Sequence, residues 1–240
     1  MESLNTVVLA GGIGSRLQER VSSLPKPMAS VAGRPFLEYI LDRLVAAGLR
    51  DIVLSVGYRA DAIQAHFGVE YRNAALSYAA EGEPLGTGGA VVHALAGRGG
   101  DAALVVNGDT LLDIDYGEFI AWYRRAPARA ALAIRKMPDT GRYGSVLVSG
   151  ECVTDFVEKG TAGPGYINAG VYILQPAIFE EYGLSGTFSL ERDLLQRHCA
   201  RLSPRAFQTD AYFIDIGIAE DYDRAQTELF QAAQDRGTGG

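Results

Sequence analysis

Thr6-Val7-Val8-Leu9 is a short apolar, β-branched run that passes directly into Ala10-Gly11-Gly12-Ile13-Gly14-Ser15-Arg16-Leu17. Such a run reads as a buried parallel strand. The glycines behind it can take positive φ and, lacking a Cβ, let backbone N–H groups close on an anion. Arg16 adds fixed positive charge, as does Lys26, which stands in Pro25-Lys26-Pro27 between two residues of locked φ. A nucleoside triphosphate carries about four negative charges and a second phosphorylated substrate about two more, so a site that joins them needs cations to offset repulsion. Strand, glycine loop and cations together predict a phosphate-binding turn at the carboxyl end of a sheet.

Two familiar glycine loops do not match these letters. A dinucleotide fingerprint requires G-x-G-x-x-G, and counting from Gly12 the third glycine falls on Leu17. A Walker loop requires Gly-Lys-Ser/Thr, whereas Gly14 is followed by Ser15-Arg16. A nicotinamide-dependent oxidoreductase is therefore a poor fit.

Behind Pro35, the residues Phe36, Leu37, Ile40, Leu41, Leu44 and Val45 recur at helical spacing, and Gly48 stops the helix. Residues 51–55 read as a second strand and 61–67 as a short helix closing at Gly68. This β-α-β-α alternation predicts a mostly parallel sheet flanked by helices, with ligands beyond the carboxyl ends of the strands. A third strand, 76–80, runs into the second glycine loop, Glu81-Gly82-Glu83-Pro84-Leu85-Gly86-Thr87-Gly88-Gly89-Ala90, ahead of a helix over 91–95. A fourth, 102–106, ends at Asn107-Gly108-Asp109. A carboxylate at that edge is suited to Mg²⁺, which takes one or two protein carboxylates and fills its shell with water and phosphate oxygen. Asp215, in Phe213-Ile214-Asp215-Ile216-Gly217, repeats the pattern and is the second expected ligand. Asp113 and Asp115 read as a solvated helix entry, and Glu191 and Asp193 as charges at the start of a helix capped by Ser189.

From residue 137 the character changes. Residues 145–148 and 153–157 read as a hairpin turning at Gly150, so antiparallel strands are expected to form a small subdomain. The strand 166–174 is interrupted by small residues, which marks close approach of a ligand. The last helix carries Tyr222, Ala225, Leu229 and Ala232 as an apolar stripe.

With 240 residues and 48% hydrophobic content the chain can bury a substantial core as one domain. Residues 1–136 are expected to serve the nucleotide, 137–215 the second substrate, and 216–240 to form the terminal helix and tail. The net charge of -7 disfavours nucleic acid and anionic membrane as partners. No apolar run of about 18 residues occurs, and the first residues lack the regions of a signal peptide, so a soluble, cytoplasmic protein is expected. Cys152 and Cys199 form no metal motif and read as reduced thiols.

The pattern G-G-x-G-x-R-L followed by P-K-P resembles the signature of the sugar-phosphate nucleotidyltransferases, enzymes that make nucleotide sugars. The resemblance covers nearly the whole chain. It implies a Rossmann-like α/β fold with a sugar-side subdomain, and Mg²⁺ held by Asp109. It also implies that Arg16 grips the outgoing pyrophosphate and that Lys26 and Lys159 hold the reacting phosphates. The nucleotide would lie on Leu9, Ala10, Gly11, Gly12, Gly14, Arg16, Lys26, Glu81, Gly86 and Thr87. The sugar would meet Asn107, Gly144, Glu158, Lys159 and Asn168. Pro-Leu-Gly-Thr-Gly-Gly at 84–89 further resembles a subgroup that uses GTP and a heptose 1-phosphate. Glu81 suits guanine, whose N1–H and 2-amino group can both donate to one carboxylate, although it could also take the single ring N–H of uracil. Uridylyl or cytidylyl transfer, mannose 1-phosphate as acceptor, and a non-catalytic nucleotide-sugar sensor on the same scaffold stay open, as does self-association.

Overall fold

The computed structural model describes residues 4–12, 24–160 and 162–237. Strands β1 (Leu4–Leu9), β4 (Asp51–Val56), β6 (Ala74–Ala80) and β7 (Ala102–Asn107) are the parallel centre of a ten-stranded sheet, in the order β7-β1-β4-β6. Between them lie the small ladder of β2 (Ser30–Val31) with β3 (Arg34–Pro35), and β5 (Glu70–Tyr71), which closes one edge antiparallel to β6. Helices α1 (Phe36–Ala46), α2 (Ala60–Phe67) and α3 (Gly86–Leu95) connect these strands.

The other half begins with the short β8 (Thr110–Leu112) and α4 (Tyr116–Arg125). It continues through β9 (Ala130–Met137), the hairpin β10 (Ser145–Ser149) and β11 (Cys152–Val157), and β12 (Gly165–Leu174). Helix α5 (Ala177–Glu181) and a seven-residue π-helix, Leu190–Gln196, precede α6 (Cys199–Leu202), β13 (Arg205–Thr209), β14 (Phe213–Asp215) and α7 (Ala219–Gly237).

Alternation along each central strand builds three layers. Val7 and Val8 are both fully buried, on opposite faces of the sheet. Val8, Leu54 and Val106 pack with α1, α4 and α7, while Val7, Val53 and Val105 pack with α3 and α5. Near-continuous apolar runs in β1 and β7 are thus what a sheet covered on both sides requires. The expected stops are present, with Gly48 and Gly68 at positive φ behind α1 and α2.

The sheet departs from expectation in being mixed rather than mostly parallel. β12 is inserted between β7 and β9, antiparallel to both. It is reached through the β10–β11 hairpin, not through a helical crossover, and a chain that arrives by hairpins pairs antiparallel. The same hairpin joins the large sheet through β11–β13 and β10–β12, so the antiparallel strands are continuous with the parallel ones instead of forming a separate body. Helix α3 also starts earlier than the glycines of 86–89 suggest. Those residues lie against Phe188 and Gly186, where any Cβ would collide, and this packing outweighs their weak helix propensity.

Helix α7 ties the two halves together. Asp221, 2% exposed in its first turn, receives Arg142 and Arg224, and the Tyr222 hydroxyl donates to the Ser30 carbonyl at 2.6 Å. Arg142 immediately precedes Tyr143 and Gly144, so its ion pair fixes the loop that carries them. No helix among the described residues is long and apolar enough to cross a membrane.

Leu104 sits fully buried in the middle of β7. Leu104→Ala is expected to cost about 3 kcal/mol through lost transfer energy and the cavity left behind. A urea melt reads this as a lowered midpoint at unchanged slope, and a loss below about 1 kcal/mol would contradict the packing described.

Candidate active site

Two clefts open at the carboxyl ends of the parallel strands. The first, of about 690 Å³, is lined by Leu9, Gly11, Gly12, Lys26, Glu81 and Asp109 together with the start of α3. The second, of about 580 Å³, is lined by Gly144, Glu158, Lys159, Asn168 and Asp215 on the antiparallel side. Asn107, the last residue of β7, lines both.

The boundary between them is charged. Lys26 donates to Asp109 Oδ2 at 2.6 Å and to Asp215 Oδ1 at 3.4 Å, with its own side chain only 10% exposed. The 3₁₀ turn Lys26–Met28 presents this lysine, with Pro27 and Met28 buried beneath it. Asp215 arrives through the antiparallel pairing of β14 with β8, which sets Asp215 opposite Thr110, one residue beyond Asp109. A further bond from the Ile216 N–H to the Asp109 carbonyl continues the ladder. Residues 106 positions apart in sequence are thereby made neighbours by a three-residue ladder. Burial raises the pKa of the Asp215 carboxyl, the Lys26 charge opposes that rise, and the nearby Asp109 charge adds to it.

Glu81 lies deeper in the first cleft. Its Oε1 accepts from the Ser55 hydroxyl at 3.1 Å and its Oε2 from the Leu85 N–H at 3.0 Å. A Cβ on Gly11 would stand 2.9 Å from Oε1, so the glycine lets the phosphate-loop backbone pass the carboxylate. Ala10 is buried beneath the cleft and donates its N–H to the Ser55 carbonyl. Gly86 and Thr87 line the first cleft, but the Thr87 hydroxyl is already engaged, donating to Glu191 at 2.6 Å and accepting from the Leu190 N–H at 2.9 Å. Gly14 and Arg16 lie outside the described residues.

In the second cleft Asn168 donates from Nδ2 to the Tyr172 hydroxyl at 3.0 Å and accepts the Gly170 N–H on Oδ1. Gly170 has φ of +74°, and a Cβ there would stand 2.7 Å from Thr110 Oγ1 and 2.8 Å from Asn107 Nδ2. Asn107 Oδ1 and Thr110 Oγ1 are buried with no hydrogen-bond partner among the described residues. Buried polar atoms of this kind call for a hydrogen-bonding group from outside the protein. Glu158 and Lys159 stand exposed at the rim.

Sequence does not mark Thr110 or Tyr172, and Glu191, which it reads as a helix-start charge, lines the second cleft. Thr110 directly follows Asp109 and could have been found by extending that motif. Tyr172 and Glu191 carry no local signal, because what qualifies them is a bond formed only on folding. Asp113 and Asp115 are accounted for structurally, the first by an ion pair to Arg43 and the second as the N-cap of α4. Asp193 pairs with Arg192 and accepts the Ser189 N–H, as a helix-end charge would.

The arrangement can also hold a divalent metal ion. Two carboxylate oxygens already share one cation, and among the described residues no group of three or more His, Cys, Asp or Glu side chains adds to them. Two hard oxygen donors, with the rest of the shell left to water and phosphate, match Mg²⁺.

Two substitutions test this geometry. Lys26→Met removes the cation that opposes burial at Asp215 and leaves only the Gly217 N–H bond to do so, so the Asp215 carboxyl is expected to titrate higher still, read by carboxyl ¹³C NMR; an unmoved titration would contradict the pairing. Gly170→Ala forces a Cβ onto Thr110 and Asn107 at a strained φ and is expected to cost about 1–3 kcal/mol in thermal or chemical denaturation. A neutral substitution would mean that the floor of the second cleft is not packed as described.

The chain matches the profile of the nucleotidyl transferase family over residues 5–232. It is 41% identical to D-glycero-alpha-D-manno-heptose 1-phosphate guanylyltransferase of Aneurinibacillus thermoaerophilus, over 94% of this chain and 98% of that protein. Identity to the enzyme of the same description from Campylobacter jejuni is 38%, over 91% and 97% of the two chains. The crystal structure of HddC from Yersinia pseudotuberculosis superposes with a TM-score of 0.84 at 38% identity, covering 95% of this chain and all of that one. The same protein has been solved complexed with GMP-PN, at a TM-score of 0.83. On this likeness of sequence and fold, the chain belongs to the nucleotidyl transferase family.

Proposed function

We propose that this protein transfers a guanylyl group from GTP to D-glycero-α-D-manno-heptose 1-phosphate, releasing pyrophosphate and forming a GDP-heptose. The observation that carries this reading is the meeting of two clefts at Asn107, with Asp109 lining one, Asp215 the other, and Lys26 bonded to both carboxylates. The near full-length likeness to two heptose 1-phosphate guanylyltransferases supports the choice of both substrates.

The chemistry asks little of any single side chain. A sugar phosphate is already ionised near neutral pH, so its oxygen can attack the α-phosphorus of GTP directly, with pyrophosphate leaving opposite. Catalysis is then positioning and charge neutralisation, with no proton to remove. Gly11 and Gly12 offer backbone to the triphosphate, and Lys26 stands where the reacting phosphates would meet. Lys159, at the rim of the second cleft, takes the sugar phosphate, while Asn107, Gly144, Glu158 and Asn168 address the sugar. Arg16 is assigned the leaving pyrophosphate from its place in the glycine motif. Glu81 keeps lone pairs beyond its bonds to Ser55 and Leu85, so it can accept from the guanine N1–H and 2-amino groups. Asp109 and Asp215 would hold Mg²⁺, which when bound supplies charge neutralisation to the phosphates.

Pyrophosphate release measured with GTP, UTP, CTP and dTTP against heptose, mannose and glucose 1-phosphates is expected to be fastest for GTP with the heptose. Asp109→Ala should lower that rate at least about 10²-fold even at saturating Mg²⁺. Preference for UTP would overturn the role given to Glu81. A near wild-type Asp109→Ala enzyme would overturn the role given to the carboxylate pair.

A further inference from the structure

Glu191 lies in the first turn of the π-helix Leu190–Gln196 and lines the second cleft, and three hydroxyls converge on its carboxylate. Oε2 accepts from Thr87 at 2.6 Å and from Ser189 at 3.0 Å, and Oε1 accepts from Tyr172 at 3.0 Å. Thr87 cannot turn away, since its oxygen also accepts the Leu190 N–H, and Ser189 is held by the Arg192 N–H. The carboxylate is therefore fixed from the α3 side and from its own helix. It spends its remaining bond on a residue of the sugar-side strand.

The direction of that last bond has a consequence through proton accounting. A carboxylate only accepts, so the single Tyr172 hydroxyl proton must point to Glu191. Tyr172 is fully buried, and burial, reinforced by the Glu191 charge, holds its pKa well above the ordinary value, so the proton stays in place throughout the neutral range. The tyrosine oxygen is then available only as an acceptor. Asn168 must present Nδ2 to it, leaving Oδ1 for the Gly170 N–H. A flipped amide would set oxygen against oxygen at Tyr172 and nitrogen against N–H at Gly170.

We propose that Glu191 is a positioning residue for the sugar substrate, which through Tyr172 locks the amide of Asn168 in the orientation that meets the sugar hydroxyls. It touches neither the phosphates nor the guanine. Its effect on turnover runs through Asn168 alone, and so should fall on the sugar phosphate and spare GTP. This inference rests on the reading of the second cleft as the sugar site.

Single and double variants test it. Glu191→Gln can donate to Tyr172 and so releases the hydroxyl proton toward Asn168, while Tyr172→Phe removes the relay and leaves Glu191 bonded to Thr87 and Ser189. Both are expected to raise KM for the sugar 1-phosphate about tenfold and to leave KM for GTP within about twofold. Because Glu191 acts through Asn168, the double variant Glu191→Gln/Asn168→Ala should be no worse than Asn168→Ala alone. Equal rises in both KM values, or additive losses in the double variant, would overturn the proposal in favour of a purely structural role. A second readout is independent of activity. In the unliganded protein the Asn168 side-chain amide, assigned by its loss in Asn168→Asp, should have one proton protected from solvent exchange in wild type and none in Glu191→Gln or Tyr172→Phe. Unchanged protection in both variants would overturn the relay even if the enzyme turns over as proposed. A wild-type protein inactive on every sugar phosphate would instead count against the functional reading.

Discussion

The arrangement depends on one lysine held between two carboxylates that stand 106 positions apart in the chain. Two carboxylates brought this close repel one another, and Asp215 is buried enough that its charge is costly. Lys26 offsets both effects, from a proline-flanked turn with little freedom to move away. The ladder of β14 on β8 makes the approach possible, and α7, anchored through Asp221 and Tyr222, braces the segment that follows β14. Loss of any of these supports would relax the boundary between the clefts.

The mixed sheet has a functional logic. Its parallel half ends in loops that can pass backbone close to phosphate, as a strand-to-loop exit at the carboxyl edge allows. Its antiparallel half, inserted through β12, delivers side chains from a strand face instead. Polar groups such as Asn168 and Tyr172 are held there by bonds within the strand and to Glu191 of the π-helix. The two halves meet at β7, whose last residue borders both clefts.

Much of this was legible in the chain. Asp109 and Asp215 each follow an apolar run and stand near a glycine, so their placement at strand ends could be read without knowing their partners. Helix stops at Gly48 and Gly68 and the hairpin at Gly150 were equally local. What escaped was non-local. Nothing near residues 165–174 says that this strand enters between β7 and β9, and nothing near 86–89 says that Phe188 waits to pack against those glycines. Glu191 looked like an ordinary helix-start charge because its three hydroxyl partners are scattered from Thr87 to Ser189. Patterns reveal strand ends and turns, while the bonds that orient a side chain exist only once distant segments have met.

The central claim, that Asp109 and Asp215 together hold the metal over the triphosphate, is tested most directly by a crystal of the protein with Mn²⁺ and a non-hydrolysable GTP analogue. The account predicts an anomalous peak about 2.1 Å from a carboxylate oxygen of each residue. A peak elsewhere, or one that touches neither carboxylate, would contradict it.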